Sequence, residues 1–307
     1  SENNNDGASL IDASLTAFTS DGFTIAAMSS DPVGNKNGNQ FLSYMWKANG
    51  GSTTSNSAGA NGASIASYYQ ANTTSGCSIV TYTGTGSAGT IKHGLSVAPK
   101  VMMVKKIKTG SNPWQLYHGD DGVVTDPQTD YFEFNTTQSS SDNANRWNDT
   151  KPTTAVFSVG TDTSVNESGD TYVAYVFAET KGFSNFGTYH GLENNANGPF
   201  VYTGFKPAMV IVKRTDGNES FIIQTWAGTK IAKDGSQGLN GNRVEQKLFL
   251  NDAAAENSTS GDVDFYSNGF KPRDTDGVHN WTNYKYIYIA FAEMPVVSTN
   301  GTIALGA

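Results

Sequence analysis

The sequence predicts an all-β protein built as tandem antiparallel β-sandwich (jelly-roll-like) domains, and three observations carry that expectation. Short runs of aromatic and β-branched residues alternate with clusters of Gly, Asn, Ser and Asp, which is the pattern of strands and turns. Charged residues make up only 16% of the 307 residues, too few for a helical bundle or coiled coil. Blocks of sequence also recur in a fixed order, the mark of repeated modules. With 16 Phe, 14 Tyr and 5 Trp, the chain carries more aromatic surface than a disordered segment does.

The repeats set the expected domains. Thr81–Gly84 recurs as Thr188–Gly191, 107 positions later, and Pro99–Lys106 recurs as Pro207–Arg214, 108 positions later. Tyr172–Glu179 recurs as Tyr286–Glu293, 114 positions later. One unit therefore spans residues 76–180, and the next spans 181–307 with its C-terminal tail. Residues 1–48 read as the second half of a third unit: Thr19–Phe23 mirrors Tyr266–Phe270, and Phe41–Ala48 mirrors Tyr172–Glu179. Half a sandwich cannot cover its own apolar face. Either a longer polypeptide or a partner chain is expected to supply the missing strands.

Val101–Val104 and Met209–Val212 are continuous apolar runs, as buried strands show. Tyr131–Phe134 alternates, as a half-buried strand does. Ala253–Glu256 is expected to form one short helical turn. Residues 49–75, rich in Gly, Ser, Thr and Asn, read as a linker or as an arm anchored by Ile65, Tyr68 and Tyr69. The polar first residues lack the basic start and apolar core of a signal peptide. The lone Cys77 excludes an intrachain disulfide, and a net charge of −8 argues against a broad nucleic-acid footprint. The longest apolar runs have strand length, so no membrane insertion is expected.

Five phrases together carry a resemblance: Leu15–Phe23, Phe41–Gly51, Ile79–Gly86, His93–Lys100 and Gly198–Phe205. They resemble the tandem repeat domains of virion structural proteins of marine tailed bacteriophages, including tail-fibre-associated proteins. The resemblance covers nearly all of the chain and brings no catalytic residues with it. It implies a virion location on the particle surface, partnership with other virion proteins and a homo-oligomer, by analogy a trimer. This chain departs from the pattern by beginning in the second half of a repeat.

No enzyme motif stands out. The histidines His93, His118, His190 and His279 lack metal-ligand spacing, and Cys77 has no flanking base. The acidic loops Asp120–Asp121 with Asp126, and Asp274–Asp276, do not fit a calcium loop. No metal or cofactor is expected. Glu133 with Asp149, or Asp264 with Asp274, are the carboxylates a glycosidase reading would use. Glu179 and Glu293 read as repeat-defining hydrogen bonders. Trp114 and Trp226 read as core, whereas Trp147 and Trp281, set among Asn, Asp and Thr, are the candidate glycan contacts. The basic pairs Lys105–Lys106 and Lys213–Arg214 read as solvated strand edges. These features favour a non-enzymatic tail-fibre or appendage component contacting a host-surface glycan or protein. The rivals are a polysaccharide-degrading tailspike and a head-decoration or extracellular fibril subunit.

Overall fold

A computed structural model describes residues 15–19, 22–26, 43–48, 52–107, 112–120, 126–192, 197–225, 243–252, 263–292, 296–297 and 303–304. The elements run, in chain order, β1 (Leu15–Phe18), β2 (Phe23–Ile25), β3 (Thr54–Asn56), β4 (Ser67–Asn72), β5 (Cys77–Thr83), β6 (Gly89–Lys92), β7 (Val101–Lys106), β8 (Gln115–His118), β9 (Asp130–Glu133), β10 (Ser141–Asp142), α1 (Ala144–Trp147), β11 (Val156–Val159), α2 (Thr163–Asn166) and β12 (Thr171–Phe177). There follow β13 (Ser184–His190), β14 (Val201–Tyr202), β15 (Pro207–Arg214), β16 (Ile222–Thr225), β17 (Arg243–Val244), β18 (Leu248–Phe249), β19 (Val263–Tyr266), β20 (Gly269–Pro272), β21 (Lys285–Ala292), β22 (Val296–Val297) and β23 (Ile303–Ala304).

The all-β expectation holds, and both complete repeats are antiparallel sandwiches. In the first, an eight-stranded sheet ordered β10-β9-β8-β7-β12-β5-β4-β3 faces the two-stranded β11-β6. In the second, a five-stranded sheet ordered β13-β21-β15-β16-β18 faces the four-stranded β14-β20-β19-β17. The repeat is kept at the level of register. β12 pairs with β5 and β7, setting Tyr172 opposite both Tyr82 and Lys106. β21 pairs with β13 and β15, setting Tyr286 opposite both Tyr189 and Arg214.

Side chains on a strand alternate between faces, so each large sheet feeds two cores. Tyr172, Ala174 and Val176 enter the core of the first sandwich, and Tyr286, Tyr288 and Ala290 enter that of the second. The intervening Phe177, Ile287, Ile289 and Phe291 all join a third core lying between the two large sheets. Burial on both faces explains why these strands read as unbroken apolar runs.

The inner core also takes in the incomplete repeat through Trp46 and Ala48. Trp46, Phe177 and Phe291 occupy the same position in the three repeats. Their rings meet pairwise at 5.9, 5.2 and 5.6 Å, with interplanar angles of 65°, 60° and 70°. This closed triangle of equivalent aromatics is a pseudo-three-fold junction. The repeats share a core instead of following one another as separate beads.

Of the two readings of residues 49–75, linker or arm, the arm describes the fold. Residues 52–75 are not a free linker: β4 pairs along β5 from Ser67↔Tyr82 to Asn72↔Cys77, β3 adds outside it, and Ile65 is buried in the first sandwich. The arm is a sheet extension, held by backbone bonds that need little apolar sequence. The turn expected at Ala253–Glu256 lies outside the described residues. Among the described residues, helical turns are seen at α1 and α2. Among the described residues no helix is long and apolar enough to cross a membrane.

Candidate functional site

One corner is built identically in both complete repeats. The Tyr172 hydroxyl accepts from the Glu167 N–H (2.7 Å) and donates to the Thr163 carbonyl (2.7 Å). At the matching positions, the Tyr286 hydroxyl accepts from the Trp281 N–H (2.9 Å) and donates to the Gly277 carbonyl (2.8 Å). Tyr82 stacks on Tyr172 at 5.1 Å and donates to the Val165 carbonyl, and Tyr189 stacks on Tyr286 at 5.0 Å and donates to the His279 carbonyl. The Asn166 and Asn280 carboxamides accept from the Thr85 and Leu192 N–H groups. Gly84 and Gly191 let the chain pass: a Cβ there would sit 2.2 Å from the Glu167 carbonyl oxygen or 2.1 Å from that of Trp281. Buried Tyr hydroxyls with both a donor and an acceptor satisfied hold this turn rigidly.

On this shared frame the two repeats present different chemistry. In the first, buried Lys106 pairs with Asp170 (2.7 Å) and with Glu167. Burial pulls the Lys106 pKa down, but hydrogen bonds and charge from Asp170 and Glu167 more than reverse this and leave it raised. In the second, Arg214 takes the place of Lys106 and Tyr284 that of Asp170. The guanidinium lies 3.4 Å over the Tyr284 ring, bonds Asp216 (2.9 Å) and approaches Glu219 (3.6 Å). Trp281 occupies the Glu167 position, edge-on to Tyr284 at 5.7 Å and 44% exposed. Leu192, also exposed, is tied to the same turn through Asn280. A charged corner has become an aromatic one rimmed by Arg and carboxylates, which offers a flat apolar face beside directional hydrogen bonders.

A family model described as "Domain of unknown function (DUF7483)" matches residues 1–295. The chain belongs to this family. No curated protein matches this DUF7483 chain. Among solved structures it shows a slight similarity to one titled "Crystal Structure of the STIV MCP", at 10% identity and a TM-score of 0.15, covering 80% of this chain and 93% of that one.

The other sequence-selected residues sort by burial. Trp147 is fully buried (0% exposed), so it cannot face a glycan. Its indole N–H donates to the Asp130 carbonyl (3.0 Å) and its ring meets Tyr117 edge-on at 5.8 Å. Its polar neighbours are helix caps: Asn143 accepts from the Asn145 N–H, and Asn148 adopts the left-handed conformation at φ 56°. Trp114 is half-buried and stacks on Tyr175, whereas Trp226 lies outside the described residues. The basic pairs are not solvated edges: they run past the β8 and β16 ladders, which end at Val104 and Val212, and pair only with β12 and β21, yet Lys105, Lys106 and Lys213 are buried. Lys213 donates to the carbonyls of Thr137 (3.0 Å) and Glu219, stitching the second repeat to the first.

Several of the candidate carboxylates are engaged within the DUF7483 fold. Asp264 pairs with Arg273 (3.3 Å) and accepts from the Tyr266 hydroxyl (3.0 Å). Asp274 meets His279 (3.3 Å) and accepts from the Asp276 N–H (3.0 Å), while Asp276 pairs with Lys247 (3.1 Å). Glu133 accepts from the Thr136 hydroxyl (3.4 Å), and Asp149 sits in a left-handed turn at φ 44°. Asp126 is bonded by Gln128 and accepts the Thr129 hydroxyl at its carbonyl. Asp120 pairs with Lys100 (3.5 Å), and Asp121 lies outside the described residues. Glu179 accepts from Phe186 N–H (2.9 Å) and pairs with Lys100 (3.2 Å); its counterpart Glu293 lies outside the described residues. Burial pushes the Cys77 thiol up to about 12, which leaves it unreactive.

Two buried histidines give a pH prediction. His93 donates from Nε2 to the Thr153 carbonyl and accepts the Leu95 N–H at Nδ1, which fixes it neutral. His118 donates from Nε2 to the Tyr288 carbonyl across the inter-repeat core. Burial, acting against these bonds, lowers both pKa values to about 4. The unfolded chain takes up these protons first as pH falls below about 6.5, so the folded state loses stability from there down to about pH 4. Each histidine is expected to contribute about 1.4 kcal/mol of loss per pH unit in that window. Thermal midpoints measured from pH 7 to 4 should fall, and His118→Asn should flatten the slope.

Proposed function

We propose that this chain is a non-enzymatic structural component of a tailed-bacteriophage virion, part of a tail fibre or surface appendage, whose Trp281 corner contacts a host-surface glycan. The observation that carries this reading is the shared inner core. Interlocked repeats make a stiff module, and one of the two acid pairs a glycosidase would need, Asp264 with Asp274, is bound to Arg273, Tyr266, His279 and the Asp276 N–H. The resemblance to phage virion repeats supports the particle location. Trp281, Leu192 and the Arg214–Asp216–Glu219 rim supply the contact chemistry. One such corner binds weakly, and several copies on one appendage would add avidity.

The test has two arms. Mass spectrometry of purified particles should detect the chain, and its absence there would remove the virion reading. On a host-surface glycan array, Trp281→Ala should weaken binding at least ~5-fold, about 1 kcal/mol, with only a small fall in the thermal midpoint. Release of new reducing ends from host polysaccharide would instead establish the glycosidase.

A further inference from the structure

Three sets of equivalent residues differ sharply in burial, and the difference falls on the incomplete repeat. The β1–β2 hairpin repeats the β19–β20 hairpin: Phe18 opposes Phe23 as Phe265 opposes Phe270, and Leu15 opposes Ile25 as Val263 opposes Pro272. Phe265 and Val263 are 0% and 1% exposed, whereas Phe18 and Leu15 are 79% and 48% exposed. Met45 holds the position of Val176 and Ala290, both fully buried, and is 62% exposed.

The second complete repeat shows what covers such a face. There Phe265 and Phe270 pack on Tyr189, Val210, Val212, Tyr286 and Tyr288, from β13, β15 and β21. Phe270 meets Tyr189 at 5.9 Å and Tyr288 at 5.4 Å. In the incomplete repeat, residues 43–48 stand where β21 stands. Among the described residues of 1–48 the β13-type and β15-type strands have no counterpart.

The inter-repeat contacts agree. Phe134 of the first complete repeat packs on Phe221 of the second at 4.9 Å, and Phe221 is fully buried. Trp114, at the Phe221 position, is only partly buried; Phe134 and its counterpart Leu250 are partly buried alike. Trp114 is the residue a completed third lobe would touch around the Trp46–Phe177–Phe291 triangle.

We infer that residues 15–19, 22–25 and 43–48 form a docking face for one occupant: a further first half of this same repeat. Its strands would flank residues 43–48 as β13 and β15 flank β21, by main-chain pairing, and close a third sandwich over Phe18, Leu15 and Met45. A second copy of this chain is a poor donor, because its β7 and β15 are already paired on both sides. The inference stands independently of the virion reading.

Hydrogen exchange tests it on the full chain and on two fusions, with residues 76–142 or 181–252 joined ahead of Ser1. In the unfused monomer, amides of 15–25 and 43–48 should exchange at least ~100-fold faster than those of 269–272 and 286–291. In a fusion, which should stay monomeric by light scattering, they should slow by at least ~100-fold. Phe18→Asp should abolish that slowing and leave the unfused chain unaffected. Three results would overturn the inference: full protection of 15–25 in the unfused monomer, protection that appears only with dimer mass, or unchanged exchange in both fusions.

Discussion

Trp147→Ala is expected to destabilise the protein by about 3–5 kcal/mol, the range for deleting a buried large aromatic. The side chain is fully enclosed among Tyr117, Phe157, Val159 and Val165 in the first sandwich core. Removing it also orphans the Asp130 carbonyl that its indole N–H satisfies. α1 has little freedom to collapse into the space: a Cβ on Gly160 would lie 2.1 Å from the Asn145 carbonyl oxygen, and Arg146 is pinned to Asp162 at 2.7 Å. The companion Trp281→Ala removes a half-exposed ring and should cost under about 1 kcal/mol. Thermal melts of the two variants should therefore separate widely. Equal, small shifts would show that Trp147 is not the core residue described above.

Phe291→Ala is expected to cost a similar ~3–5 kcal/mol, but for a different reason. Phe291 touches Phe177, Phe183, Phe186 and Trp46, so its loss opens the junction of all three repeats. The edge-on geometry of the ring contacts adds to the buried area. Because neighbours share the cavity, Phe177→Ala and Phe291→Ala should be non-additive: the double variant should fall short of the sum by about 0.5–3 kcal/mol. Strict additivity in denaturant titrations would contradict a common core.

The β class is legible because strand-length apolar blocks recur in register, and burial on both faces requires such blocks. What escapes the sequence is the identity of a strand's neighbours. Lys105, Lys106 and Lys213 end apolar runs, which reads as an exposed edge. Only the fold shows them buried, where carbonyls, Asp170 and Glu167 receive their charges. Residues 52–75 escape for the opposite reason: β3 and β4 are held by backbone pairing, which leaves almost no trace in side-chain chemistry. For Trp147 a signal was present. Asn143 and Asn148 flank it as a helix start and a left-handed stop, and both mark a turn whose inner face the indole fills. Trp281 sits in an equally polar setting yet projects outward, because it follows the Asn280 bond to Leu192 where the chain in the first repeat carries Glu167.

The central claim is that the repeats fold on one shared core, and the exchange map of Phe291→Ala tests it most directly. Amides of β5, β7 and β12 lie 114 or more residues away in sequence from the substitution. The shared core predicts that they lose protection together with those of β13, β15 and β21. Loss confined to residues 184–292, with β5, β7 and β12 as protected as in the parent, would mean separate modules.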